Sequence, residues 1–137
     1  WTGNLARGAG AISAASSHAF EALGYSLATR GGAPEGKTSP EELLAAAHGG
    51  CFTMSLAGEL TMAGTPPERL DVRCVVTVDE VEGKGHQIVH SEIVATGSVP
   101  GIDEAAFAQA AEAADAGCPF SALIRASATV SVSATLS

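Results

Sequence analysis

The chain has 137 residues, close to the size of one average domain, so its length predicts a single domain over residues 1–137. Apolar residues make up 46% of the sequence and charged residues 16%, which is enough for one buried core and excludes a disordered or collagen-like chain. Seven basic against fifteen acidic residues give a net charge of −8 at pH 7. Nucleic acid and anionic membrane surfaces are therefore poor partners for this chain.

The longest apolar stretch, residues 43–60, is interrupted by polar residues and glycines. Its uninterrupted apolar segments are thus shorter than the roughly 18 continuous apolar residues that a membrane-spanning helix needs. Three cysteines are an odd number, whereas a secreted disulfide scaffold of this size carries more cysteines, in pairs. We therefore expect free thiols in a reducing compartment, and the cytoplasm as the location.

Short apolar runs between glycines predict two or three short strands in the first thirty residues, the last of them over residues 25–29. The clearest helix start follows. Ser39 is a suitable N-cap, Pro40 stands at the first helical position, and Glu42 follows three residues after Ser39 as in a capping box. This helix is predicted to run to about Met62, before Gly64 and a Pro-Pro pair.

Two β-rich stretches, residues 70–81 and 87–99, flank a glycine-containing turn and predict a hairpin. Asp103 is expected to cap a second helix that extends to about Ala116, and Pro119 to start a short third one. A final strand is predicted over residues 126–136. Because the strands come in runs, the order predicts an α+β domain with a mainly antiparallel sheet and a long central helix.

The long predicted helix carries an acid, an imidazole and a thiol, Glu41, His48 and Cys51, within a stripe about 80° wide. Gly49 and Gly50 precede the cysteine and together cost about 2 kcal/mol relative to alanines in a helix. Another part of the chain is therefore expected to approach this backbone closely. The alternative is a tight helix crossing with an ordinary core cysteine.

Cys118 precedes Pro119, so it is expected at the N-cap of the short helix, beside the unpaired N–H groups of Phe120 and Ser121. Those donors and the helix dipole favour a thiolate at Cys118. The alternative is a cysteine that merely fills a cap position. Cys74, on the apolar face of a valine-rich strand, is expected to be an inert core residue.

A metal site is the remaining possibility for these residues. His48 and Cys51 have a spacing suited to a metal on a helix, and Cys118 would be a third ligand. No close C-x-x-C pair accompanies them, so zinc binding is the weaker hypothesis.

Four segments with distinctive motifs follow one another along the chain: WTGNLARGAG (1–10), SPEELLAAAHGGCF (39–52), VPGID (99–103) and GCPFS (117–121). Together they resemble the osmotically inducible protein C and organic hydroperoxide resistance family, over essentially the whole chain. The Trp-x-Gly opening, the Arg-Gly-x-Gly turn and the Ala-Ala-His before the first cysteine are more similar to the osmotically inducible branch.

The resemblance implies thiol peroxidase chemistry without haem, metal or other cofactor, in an intertwined homodimer with active sites at the subunit interface. By position, it implies that Cys51 is the peroxidatic thiolate and Cys118 the resolving thiol. Arg7 would stabilise the thiolate, and Glu41 would hold Arg7. The implied substrates are an organic hydroperoxide and a dithiol reductant such as a lipoyl protein.

Phe52, Met54 and Phe120 flank the two cysteines and could line an apolar pocket, which would favour alkyl or lipid hydroperoxides over hydrogen peroxide. The alternative is that all three are ordinary core residues. A non-catalytic relative that binds a small apolar ligand would keep the fold but would not need both thiols.

The subunit arrangement follows from a helical distance. Glu41 and Cys51 are ten helical positions apart, which is about 15 Å along a straight helix. An Arg7 held by Glu41 can hardly reach Cys51 of its own chain, so we expect each site to be shared between two subunits.

Overall fold

The computed structural model describes every residue from Trp1 to Ser137. The chain forms two compact units, Trp1–Leu43 and Leu44–Ser137. None of its helices combines the length and the hydropathy that crossing a membrane requires.

The first unit contains a small antiparallel pair, β1 (Gly10–Ile12) and β2 (Leu23–Tyr25). The strand predicted over residues 25–29 is wrong, because the chain turns into a short helix, α1 (Leu27–Gly31), directly after β2. The hydroxyl of Ser26 accepts a hydrogen bond from the Thr29 N–H at 3.2 Å and so caps this helix.

The long helix α2 (Pro40–Met62) has the predicted bounds. The Glu42 N–H donates to the Ser39 hydroxyl at 3.0 Å, which confirms Ser39 as the cap. The second half of the capping box differs, since the Glu42 carboxylate accepts from the Thr38 hydroxyl at 2.7 Å. The helix ends before Gly64, whose φ of +79° favours glycine.

The second unit contains a three-stranded sheet in the order β3-β4-β5. The hairpin of β3 (Arg69–Val81) and β4 (Gly85–Ser98) is antiparallel, as predicted. The last strand, β5 (Thr129–Leu136), runs parallel to β4. It does so because the intervening helices, α3 (Glu104–Gly117) and α4 (Pro119–Arg125), return the chain to the end of the sheet at which β4 began.

The core of the second unit lies where α2, the sheet and α3 meet. Its largest fully buried side chains include Phe52, Leu56 and Leu60 of α2, Ile93 of β4 and Phe107 of α3. The same apolar cluster contains Cys118, which is 1% exposed, and half-buried Cys51 packs against it. The fold therefore brings both cysteines to the edge of one core. The architecture is α+β with a long central helix, as predicted.

Candidate active site

The two cysteines singled out in the sequence are neighbours in the structure. Cys51 lies on α2, and Cys118 lies at the junction of α3 and α4, where its backbone (φ −76°, ψ 117°) forms the N-cap of α4. Both thiols are free, and Cys118 is close enough to Cys51 to raise the pKa of the Cys51 thiol. This juxtaposition is what a dithiol–disulfide couple requires.

The pKa of Cys51 reflects its surroundings. Desolvation by burial raises the pKa of this thiol, and the adjacent Cys118 raises it further, because two neighbouring thiols cannot both ionise easily. The backbone N–H of Phe120, in the first turn of α4, acts in the opposite direction and favours the Cys51 thiolate.

That donor corrects one sequence-based expectation. The free N–H groups at the start of α4 were predicted to favour a thiolate at Cys118, but the Cys118 side chain forms no capping hydrogen bond. Its sulfur is buried in the core instead of lying over the end of the helix. The N–H of Phe120 at the start of α4 therefore favours a thiolate at Cys51.

A charged pair flanks Cys118. Arg125 at the end of α4 forms a two-pronged ion pair with Asp115 near the end of α3, with one N–O distance of 3.1 Å. Asp115 raises the pKa of Arg125, and the negative charge of an ionised Cys118 raises it further. Sequence analysis missed this pair, although an acid three residues before Cys118 and a base seven residues after it were a usable signal.

His48 is fully buried and both of its ring nitrogens are engaged. Nδ1 lies 2.8 Å from the hydroxyl of Ser91 on β4, and Nε2 lies 2.9 Å from the hydroxyl of Ser121 on α4. Burial lowers the pKa of His48 and favours the neutral ring. Because neither nitrogen is left free for a metal, this arrangement does not support the zinc hypothesis for His48, Cys51 and Cys118.

Cys74 explains one of the two helix glycines. Its sulfur lies 3.4 Å from the Ser91 hydroxyl, and its Cβ would lie only 3.1 Å from a Cβ added at Gly49. A Cβ added at Gly50 would meet nothing within 4 Å. The close approach expected from the sequence is therefore confirmed at Gly49 and absent at Gly50.

Arg7 and Glu41 both belong to the first unit. The Glu41 carboxylate accepts two hydrogen bonds from Nε of Arg30, each at 3.0 Å, and a third from its terminal nitrogen. This pairing lowers the pKa of Glu41 and raises that of Arg30. Arg7 is exposed and its guanidinium forms no ion pair within the chain. The expected pairing of Arg7 with Glu41 is thus not formed, because Arg30, which sequence analysis missed, occupies the carboxylate.

The three side chains expected to line a substrate pocket lie in different surroundings. Phe52 has no exposed surface and belongs to the core, so a direct contact with substrate does not fit this structure. Phe120 is partly buried against the core, next to the two cysteines in the fold, and Met54 is 78% exposed one helical turn after Cys51.

Two adjacent free thiols at the edge of the core of an α+β domain are the arrangement that a dithiol redox protein needs. Residues 32–133 match the family described as OsmC-like protein. The chain is also 36% identical over 130 residues to peroxiredoxin OsmC of Escherichia coli, an alignment that covers 95% of this chain and 89% of that protein. The chain belongs to the OsmC-like family.

Solved structures agree with this fold. The organic hydroperoxide resistance protein OhrB of Bacillus subtilis is 20% identical and matches 97% of this chain and 93% of its own, with a TM-score of 0.76. An organic hydroperoxide resistance protein from Elizabethkingia anophelis is 26% identical and matches 74% of this chain and 69% of its own, with a TM-score of 0.63.

Proposed function

We propose that this protein is a cysteine-based peroxidase that reduces organic hydroperoxides to alcohols in oxidative or osmotic stress defence. The proposal rests on the position of half-buried Cys51 next to buried Cys118, with the backbone N–H of Phe120 favouring the Cys51 thiolate. The 36% identity to peroxiredoxin OsmC supports the same chemistry.

The reaction needs no group other than thiols. The Cys51 thiolate attacks the distal peroxide oxygen, the O–O bond breaks, and the alkoxide takes a proton and leaves as the alcohol. The resulting Cys51 sulfenic acid is then attacked by the Cys118 sulfur, which forms a disulfide and releases water. An external dithiol reduces that disulfide, and the cycle restarts.

Accessibility decides which cysteine attacks first. Cys118 is only 1% exposed, whereas Cys51 keeps part of its surface open and faces the N–H of Phe120. A peroxide therefore reaches Cys51 more readily, and Cys118 is suited to the second, internal step.

The Cys51 thiolate needs a cation that residues 44–137 do not provide. Burial and Cys118 both raise the pKa of Cys51, and among these residues only a backbone N–H opposes them. We assign the missing charge to Arg7 of a second subunit, because the Arg7 guanidinium has no ion-pair partner in its own chain, whereas Arg30 is held by Glu41. On this proposal the protein acts as a homodimer with shared active sites. A guanidinium suits the role because it stays protonated and offers a planar set of donors to sulfur and oxygen.

The substrate preference follows from apolar side chains near the thiols. Met54 and Phe120 both present apolar surface close to the cysteines in sequence and fold, which favours an alkyl or lipid hydroperoxide over hydrogen peroxide. A lipoyl-type dithiol fits as reductant, and free thiols fit the reducing cytoplasm.

A peroxide consumption assay with dihydrolipoamide as reductant tests the proposal. We expect turnover of cumene hydroperoxide to exceed that of hydrogen peroxide, and Cys51→Ser to abolish both. Cys74→Ser is the matched control and should retain turnover, because Cys74 contacts Ser91 and His48 and not the thiol pair. Wild-type protein that consumes neither peroxide would instead indicate a non-catalytic relative that binds a small ligand.

A further inference from the structure

A buried polar chain, Ser91–His48–Ser121, joins three elements of the second unit. Ser91 lies on β4, His48 on α2 and Ser121 on α4, and each of the three is 0% exposed. The two hydrogen bonds, 2.8 and 2.9 Å long, engage both nitrogens of the ring. No step of the peroxidase reaction uses any of these groups.

Such a buried hydrogen-bonded network costs folding free energy unless every polar atom in it has a partner. Burying an imidazole and two hydroxyls takes all of their polar atoms away from water, and apolar residues of similar size would fill the space without that penalty. Every buried side-chain nitrogen and oxygen of the protein has a partner. The chain is therefore a specific connection between elements, since each hydrogen bond fixes a direction as well as a distance.

The Ser91–His48–Ser121 network lies close to both thiols along the helices that carry them. His48 lies three residues before Cys51, one helical turn away on α2. Ser121 lies three residues after Cys118, in the first turn of α4, next to Phe120, whose N–H faces the Cys51 sulfur. The His48–Ser121 hydrogen bond thus ties the turn that carries Cys51 to the turn that Cys118 begins.

We propose that the His48–Ser121 hydrogen bond holds Cys118 beside Cys51 for disulfide formation, which makes His48 and Ser121 positioning residues for the second step. This inference rests on the proposed function and adds residues to the same site. It assigns no proton transfer to the ring, because burial keeps the imidazole neutral and each serine hydroxyl can either donate or accept.

The two steps of the reaction depend differently on this contact. Oxidation of Cys51 needs the peroxide and the Cys51 thiolate, whereas resolution needs the Cys118 sulfur aligned with the S–O bond of the sulfenic acid. In that step the S–S bond forms, the S–O bond breaks, and the Cys118 proton leaves with the hydroxyl as water. A sulfenic acid that waits for a misplaced Cys118 reacts with more peroxide and becomes sulfinic acid.

Paired substitutions separate positioning from general stability. In His48→Asn the amide occupies the place of Nδ1 and can still meet Ser91, whereas in His48→Gln it reaches the place of Nε2 and can still meet Ser121. Ser121→Ala and Ser91→Ala are a second matched pair, since each removes one buried hydroxyl that is hydrogen-bonded to the His48 ring.

The experiment mixes reduced protein with one equivalent of cumene hydroperoxide and follows sulfenate, disulfide and sulfinate by acid quenching and mass spectrometry. We expect Ser121→Ala and His48→Asn to slow disulfide formation roughly 10- to 100-fold, because small misplacements of reacting groups cost rates of this order. Both should also accumulate sulfinic acid at Cys51. Ser91→Ala and His48→Gln should remain close to wild type, and all four should form the sulfenate at wild-type rates.

Equal resolution rates in all four variants and the wild type would overturn the inference, and so would equal losses in Ser91→Ala and Ser121→Ala. If Ser121→Ala fails to fold, the comparison of His48→Asn with His48→Gln decides alone. Wild-type protein whose Cys51 is not oxidised at all would instead overturn the proposed function. The two failures are therefore distinguishable.

Discussion

The protonation of His48 links a single buried side chain to the stability of the protein. Burial lowers the pKa of His48 in the folded chain below the ordinary value of 6.5. The unfolded chain therefore binds a proton first as the pH falls, and folding loses free energy from about pH 6.5 downward until the folded ring is protonated as well.

We accordingly expect the free energy of unfolding to decrease below about pH 6.5, with His48 contributing at most about 1.4 kcal/mol per pH unit. Denaturant unfolding of the wild type and His48→Gln between about pH 7.5 and pH 5 measures this contribution by difference. The variant should show the shallower pH dependence. Identical slopes in the two proteins would mean that the ring is protonated equally in both states.

The two arginines near the start of the chain make a testable contrast. Arg30 already binds Glu41 through both carboxylate oxygens, whereas the Arg7 guanidinium has no partner within the chain. If Arg7 is the cation for Cys51, Arg7→Ala should raise the thiol pKa and slow Cys51 oxidation roughly 100-fold, as loss of a preorganised donor does elsewhere.

Arg7→Lys should suffer most of the same loss, because an ammonium keeps the charge but not the planar set of donors. Arg30→Lys is the comparison, with a smaller expected effect on the pKa of Cys51. Thiol alkylation rates measured against pH report that pKa directly. A raised thiol pKa in the Arg30 variant together with an unchanged one in Arg7→Ala would transfer the role to Arg30.

At the scale of elements, the packing of α2 against β3 depends on one glycine more than on its neighbour. Alanine at either position favours the helix by about 1 kcal/mol. At Gly50 the added methyl group enters open space, whereas at Gly49 it lies 3.1 Å from the Cβ of Cys74. We expect Gly50→Ala to raise the melting temperature and Gly49→Ala to be less stable than Gly50→Ala. Calorimetry of both variants tests this, and a more stable Gly49→Ala would show that β3 moves aside freely.

The elements that the sequence predicted correctly are those whose ends carry a capping side chain or a proline. Ser39 and Asp103 accept hydrogen bonds from N–H groups three residues on, and Pro119 begins its helix after Cys118, as expected. Long alternating stretches also predicted the hairpin of β3 and β4. The family motifs likewise predicted which two cysteines would meet.

Features that depend on distant side chains escaped sequence analysis. The partners Arg30 and Glu41 are eleven residues apart, and Ser91 and Ser121 lie 43 and 73 residues from His48. Local patterns contain no information on such pairs. The parallel pairing of β5 with β4 escaped for a related reason, because the path of the crossover and not the strand sequence sets the strand direction.

At the scale of the whole molecule, a shared active site predicts complementation between inactive variants. Arg7→Ala and Cys51→Ser each damage every site of their own homodimer. A mixed dimer would contain one intact site, formed by Arg7 of one chain and Cys51 of the other. We expect unfolding and refolding of an equal mixture to restore up to about a quarter of wild-type activity. If subunits exchange at random, half of the dimers are mixed, and each mixed dimer has one intact site of two.

Differently tagged subunits isolate the mixed dimer and serve as the control for exchange. Exchanged dimers that stay inactive would contradict a shared site, and so would a protein that remains monomeric while active.

The single domain predicted from the length also stays a prediction, and an oxidation-competent fragment covering residues 44–137 alone would contradict it.

On the proposed function, Cys51 and Cys118 exchange electrons with an organic hydroperoxide as one dithiol couple. Mass spectrometry after non-reducing digestion tests it most directly, on protein treated with one equivalent of cumene hydroperoxide. We expect an intrachain disulfide between Cys51 and Cys118 with Cys74 still reduced. A disulfide that includes Cys74, or a Cys51 oxidised to sulfinic acid while Cys118 stays a free thiol, would contradict it.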